Sequence, residues 1–386
     1  MFGEWRELLQ SRPSRERWAR LCELLLEAWL LAPHAITEQW LPYAHAHLPR
    51  WPEAVRSTPS WALDFMIDAN ALHLLELVGC VEVEGMRAYE TLRTHSTFSS
   101  LPISAFTLRD EVFSTWSGSI IAQDPRLQRL ERFSLIHAEH DAGAWKKLVD
   151  SDWTHRLREL HIHGLEATRR AHGLGQAFEA LDLQNLESLI LRDIVSGYMS
   201  LYYNLPARFL RNDSYEHLKH VEIWHLPIAR WNAAVSDGHR FTQNLETLYL
   251  HQAALDSSGW EEFIASTSTG LDNLEELHLE RCDLLAHRLK PLLELPWFLK
   301  LKRVKLRQVS LFDEQYEMLL DAARSMPALR ELDLARNTIS DEIIIALSNH
   351  DGLANLTTLN IDKRFGKRPR EVFDALASSA TLPNPL

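Results

Sequence analysis

The sequence is poor in cysteine. Three occur in 386 residues, Cys22, Cys80 and Cys282, far apart and never as C-x-x-C. That pattern excludes a disulfide framework or zinc knuckle and suits a reducing compartment. Long hydrophobic runs are missing too. The most apolar stretch, LCELLLEAWLLA (Leu21–Ala32), is too short to span a bilayer and carries Glu23 and Glu27, so it reads as a buried helix. The opening MFGEWRELLQSRPSR lacks the apolar segment and small-residue cleavage site of a secretory signal. A cytoplasmic protein without membrane contact is the expectation. Net positive charge is also absent. The formal charge is -12, which argues against a protein built to grip nucleic-acid phosphates. No G-x-x-x-x-G-K-[ST], H-E-x-x-H or G-x-S-x-G occurs, and GLGQAF (Gly173–Phe178) follows no clear strand. No enzyme, cofactor or metal is expected.

What the chain does have is leucine in register. Ala328–Ser340 reads ALRELDLARNTIS, and NLEELHLERCDLL from Asn273 is almost the same phrase. The pattern L-x-x-L-x-L begins at Ile103, Leu130, Leu157, Leu186, Leu218, Leu245, Leu274, Leu301, Leu329 and Leu356, with spacings of 27 to 32. A further copy is spelled at Leu72, Leu75 and Leu77, between flanks of helical texture. A short apolar strand at this period marks a leucine-rich repeat array. Helical segments fill the intervals: SSGWEEFIAS with Ser258 and Glu261 at capping-box spacing, DEQYEMLLDAAR with its acids first, and EIIIALSNH behind Ser340 and Asp341. Parallel strands stand about 4.8 Å apart while packed helices need about 8–10 Å. One strand and one helix per repeat therefore predict an α/β fold, a curved solenoid with a parallel concave sheet and convex helices.

Residues about 100 to 364 resemble the ribonuclease-inhibitor-like class of leucine-rich repeat proteins. That class places Asn or Cys at position nine of each repeat, where the side chain satisfies backbone groups leaving the strand. Cys282 and Asn337 fit; Leu165, Ile194, Leu226 and Val309 depart from the pattern. The resemblance implies a protein–protein interaction scaffold, whether inhibitor, adaptor or GTPase regulator. Residues 1–70, Trp-rich and punctuated by Pro33, Pro42, Pro49, Pro52 and Pro59, read as a helical cap or module, with the repeats occupying 71–386. An insert around Ser196–Tyr215 lengthens one repeat, and PREVFDALASSATLPNPL supplies a final helix and tail.

Strand alternation sends positions 5 and 7 of each repeat to the concave face. In the middle of the array these are His161, His163, Arg192, Glu222, Trp224, Tyr249, His251, His278, Glu280, Lys305 and Arg307. Positions there have no packing duty in a simple repeat. Aromatic and arginine side chains on a rigid surface are the types that dominate protein interfaces. The alternative is that long side chains merely stack across neighbouring strands. His251, His278 and Glu280 also spell a two-histidine, one-carboxylate set, but nothing in the sequence orients them for a metal. The clustered histidines predict binding that changes near pH 6. The basic runs Lys300–Gln308 and Lys363–Arg370 admit a nucleic-acid reading, which the overall acidity disfavours. The expected partner is therefore a protein bound on the concave face. A sensor whose N-terminal module binds or dimerises is the alternative.

Overall fold

The computed structural model describes residues 1–386 apart from 53–54, 96–100, 165–173, 195–209, 211, 213, 226–240, 253–256, 362–370, 372–378 and 380–386. The insert at Ser196–Tyr215, the run Lys363–Arg370 and the C-terminal tail fall wholly or mostly outside the described residues. By contact the chain divides into two compact units, Met1–His163 and Gly164–Leu386.

In the first unit, strands β1 (Ser57–Thr58), β2 (Cys80–Glu84), β3 (Ile103–Arg109), β4 (Arg132–Ile136) and β5 (Glu159–His163) lie side by side, all parallel and in chain order. The expected copy at Leu72 is corrected: Leu72–Leu77 is a 3-10 helix, and the strand follows at β2. The spelling L-x-x-L-x-L does not by itself choose between the two. In the Leu72 copy, the flanking residues favour a helical turn that buries Leu74, Leu75 and Leu77 together. The helices of residues 1–70 pack within this unit. Its core is aromatic. Phe113 meets Trp145 edge-on at 5.4 Å and Phe133 meets Trp153 at 5.7 Å. A buried indole favours an acceptor, and backbone carbonyls serve three of them: Trp5 donates to Leu21 O, Trp51 to Leu9 O and Trp153 to Ile121 O.

The second unit carries β6 (Ser188–Arg192), β7 (His220–Trp224), β8 (Thr247–His251), β9 (Glu276–Glu280), β10 (Arg303–Arg307), β11 (Glu331–Asp333) and β12 (Thr358–Asn360), again parallel and in order. Helices Ser257–Thr267, Ala286–Leu293, Asp313–Ala323 and Asp341–Ser348 alternate with the strands. Ser340 caps the last, its hydroxyl accepting from Ile343 N–H. Burial follows the repeat. Leu245, Leu248 and Leu250 are each 0% exposed, and such a side chain contributes about 1.5–3 kcal/mol when fully buried. Trp260 and Trp297 again donate to carbonyls, of Arg288 and Thr267. Among the described residues, no helix is long and apolar enough to cross a membrane.

Position nine works as the resemblance implies where its residue fits. Asn337 Nδ2 donates to Leu306 O and Leu334 O at 2.6 and 2.9 Å, while its Oδ1 accepts from Val309 N–H at 2.8 Å. Val309 cannot make such bonds, yet its own N–H is satisfied by the asparagine of the next repeat. Cys282 is buried with its thiol 3.6 Å from Leu250 O and 3.5 Å from Glu280 O.

Position eight holds a feature unforeseen in the sequence. Asp110, His137, Gly164, Asp193, His225, Gln252, Arg281, Gln308 and Arg336 all have φ between 48° and 69°. Only one of the nine is glycine, although the left-handed region favours it. The turn deflects the chain away from the strand while keeping one more ladder bond: Gln252 N–H reaches Glu280 O and Arg281 N–H reaches Arg307 O. Aspartate tolerates this conformation because its short polar side chain bonds locally; arginine, glutamine and histidine are held in it by the ladder.

Candidate functional site

The strands of the second unit bury alternate residues, so positions 3, 5 and 7 face away from the helices. Parallel pairing aligns like positions. Tyr249 stands between Glu222 and His278, and His251 between Trp224 and Glu280. Nine of the sequence-predicted residues, Arg192 to Arg307, meet on this helix-free face. His161 and His163 sit on β5 in the first unit, where His161 Nε2 lies 3.6 Å from Glu159 and the His163 ring lies 4.5 Å from that of His137.

The residues are engaged with one another. Arg192 grips Glu222 with two bonds of 2.6 and 3.0 Å, and its guanidinium lies 5.3 Å over the Trp224 ring. Trp224 Nε1 donates to the same carboxylate. Trp224 stacks on His251 at 4.0 Å, and Tyr249 on His278 at 3.9 Å with planes 3° apart. The Tyr249 hydroxyl donates to Glu280, which also accepts from Arg336 at 3.1 Å. The expectation that these positions carry no packing duty is corrected. Glu222, His251 and Glu280 are 5%, 4% and 7% exposed, because each large neighbour on one strand roofs the smaller side chain on the next. Trp224, Tyr249, His278, Lys305 and Arg307 stay half-buried.

Burial and charge set the protonation of this face. Desolvation, the largest influence, pushes His278 down to about 4; Glu280 opposes it, and Lys305 and Arg307 add to it. Burial likewise lowers His251. The His278 ring therefore stays neutral at pH 6, and burial biases His251 toward its neutral form as well. The bond to Glu222 raises Arg192. Burial opposes the charge on Lys305, but its hydrogen bond to Glu276 prevails and raises its pKa.

Four of the five cations in the basic run Lys300–Gln308 are paired with acids of the preceding repeat. Lys300 pairs with Asp272, Lys302 with Glu275, and both Arg303 and Lys305 with Glu276, at 2.5–2.9 Å. Among the described residues, no three of His, Cys, Asp and Glu converge as metal ligands. Sequence reasoning missed the rim made by position eight. There His225 Nδ1 lies 3.0 Å from Asp193, Arg281 Nε donates to Gln308, and Arg336 reaches back to Glu280. The signal was a column of polar residues two places after the last core leucine, with only Gly164, Asp110 and Asp193 hinting at its conformation.

Strand order, register and position-nine bonding make this a leucine-rich repeat array. No protein-family model matches the chain, and no curated protein matches it. Similar solved structures include TLR13 in complex with ssRNA13, at 15% identity and TM-score 0.36, covering 67% of this chain and 33% of that one. An internalin from Listeria monocytogenes shows 14% identity and TM-score 0.31, covering 67% of this chain and 80% of that one. A protein from Bacteroides fragilis shows 15% and 0.33, covering 72% and 85%. This chain thus spans about one third of the TLR13 chain. At such TM-scores the likeness adds nothing to the register described above.

Proposed function

We propose that the chain is a non-enzymatic, cytoplasmic scaffold that binds a partner protein on the helix-free sheet face of its second unit. One observation supports this most. Trp224, Tyr249 and Arg192 are half-buried, fixed by stacking and bidentate bonding, and remain partly open to solvent. Side chains already ordered lose little entropy on binding, which is what an anchor residue needs. A partner covering the face would bury an interface of about 1,600 Å². Glu222, His251, His278 and Glu280 hold the anchors in place, Lys305 and Arg307 stand on the strand beside His278 and Glu280, and His161 and His163 on β5 of the first unit are a separate candidate.

Capture from native lysate tests the reading. The full chain is compared with a Trp224→Ala, Tyr249→Ala, His251→Ala variant, at a temperature where both are fully folded. A protein held by the first and lost by the second supports the face as the site. Equal capture by both would place the site elsewhere.

A second reading, association through the N-terminal helices, draws on Leu30 and Leu31. They end helix Arg15–Leu31 at 67% and 73% exposed. Sedimentation of the full chain with Leu30→Asp and Leu31→Asp separates the two, because only this reading loses a self-associated or bound species.

A further inference from the structure

We infer that the partner presents a carboxylate to Arg307, within an acidic segment laid across β8 to β10. This rests on the reading of the face as the binding surface. Four carboxylates among the described residues of the face already accept hydrogen bonds. Glu222 receives Arg192 and Trp224, and Glu276 receives Arg303 and Lys305. Glu280 receives Tyr249 and Arg336, and Asp333 receives Ala335 N–H and Asn360 Nδ2.

Donors are left over. Arg307 makes no hydrogen bond among the described residues. Its nearest acids, Glu280 and Asp333, stand at 3.8 Å, and its Nε is buried without a partner. On the two preceding strands, His278 Nε2 and His251 Nδ1 are buried without a hydrogen bond, His278 Nε2 lying 3.5 Å from Glu280, and His251 is 96% buried. Register places Arg307 beside Glu280 and Glu280 beside His251, so the three groups lie on three adjacent strands.

Unpartnered buried polar atoms are few in native proteins. Of the three, Arg307 is a donor in every protonation state, and it points to a ligand that supplies oxygens. A planar guanidinium with free N–H groups matches a carboxylate in two-point contact. Glu280 and Asp333 repel an anion at a distance. Selection therefore comes from direct contact with Arg307, and a partner lysine is disfavoured because Glu222, Glu276, Glu280 and Asp333 already accept bonds. Arg307→Gln removes the recognition group and gives up only the two 3.8 Å contacts to Glu280 and Asp333, so folding of the variant is checked by its thermal unfolding.

A phage library of random heptapeptides, selected in parallel on the full chain and on Arg307→Gln, reads this out. The expected result is enrichment of Asp or Glu on the wild type that disappears on Arg307→Gln, with enrichment of aromatic residues kept on both. For a selected peptide made synthetically, changing its acid to the amide should weaken binding roughly tenfold on the wild type and less than about twofold on Arg307→Gln. Arg307→Lys should fall between them, since it keeps the charge and loses the fork. Peptides without acidic bias, or with the same bias on Arg307→Gln, would overturn this inference while leaving the binding face intact. Failure of any peptide to enrich, or undiminished binding to Trp224→Ala, would overturn the binding face itself.

Discussion

Replacing His278 by phenylalanine should abolish a loss of stability in acid. The imidazole lies flat on Tyr249 and is mostly buried. Burial lowers its pKa to about 4 from an ordinary 6.5. The unfolded chain therefore takes up the proton first as the pH falls. The stability contributed by the neutral ring is complete above about pH 6.5 and drains as the pH drops toward 4. Each tenfold difference in proton affinity is worth about 1.4 kcal/mol, so the loss amounts to about 2 kcal/mol at pH 5. Phenylalanine keeps the stack and cannot titrate. Urea unfolding of both proteins at about pH 7.5 and pH 5 gives the assay. The wild type minus variant difference should shrink by about 2 kcal/mol at the lower pH. A difference constant to within about 0.5 kcal/mol would refute the reasoning, because the ring would then titrate alike folded and unfolded.

Asn337→Ala strips partners from the Leu306 and Leu334 carbonyls and the Val309 N–H, and should cost about 2–3 kcal/mol in urea unfolding. A loss below about 0.5 kcal/mol would contradict the role of position nine. At position eight, Gln308 has φ 52°, so Gln308→Val should cost at least about 1 kcal/mol while Gln308→Gly stays near neutral. Equal effects would show the left-handed turn to be unimportant. Asp124, 8% exposed, bonds both Arg126 and Tyr89, so Asp124→Ala leaves a buried guanidinium uncompensated. Its thermal unfolding should report a loss of about 3–5 kcal/mol, and a small shift would mean that Arg126 finds water or another partner.

The architecture was legible because its signal is repeated. Each leucine triplet from Leu130 to Leu301 is written by the same burial demand, so noise at one copy is averaged by the rest. Where a copy stands alone at the end of the array, as at Leu72, the spelling misleads. The residues of the face were also legible, since strand alternation assigns sides by counting. Their state was not. That His251 is roofed by Trp224, or that Glu280 serves Tyr249 and Arg336 together, depends on side-chain size on three strands at once. No single repeat carries that information. The left-handed ladder stayed hidden for a different reason. Arg281, Gln308 and Arg336 are not residues that announce such a backbone, and the neighbouring strand enforces it.

The central claim, that recognition belongs to the helix-free face of the second unit, is tested most directly by comparing two tryptophans. Trp224 is half-buried on that face, and Trp116 is 63% exposed at the start of helix Thr115–Gln123 in the first unit. The affinity of the captured partner would be measured for wild type, Trp224→Ala and Trp116→Ala. An anchoring tryptophan contributes at least about 2 kcal/mol, so Trp224→Ala should weaken binding about thirtyfold while Trp116→Ala leaves it unchanged. Equal affinities for all three, or loss only with Trp116→Ala, would contradict the account.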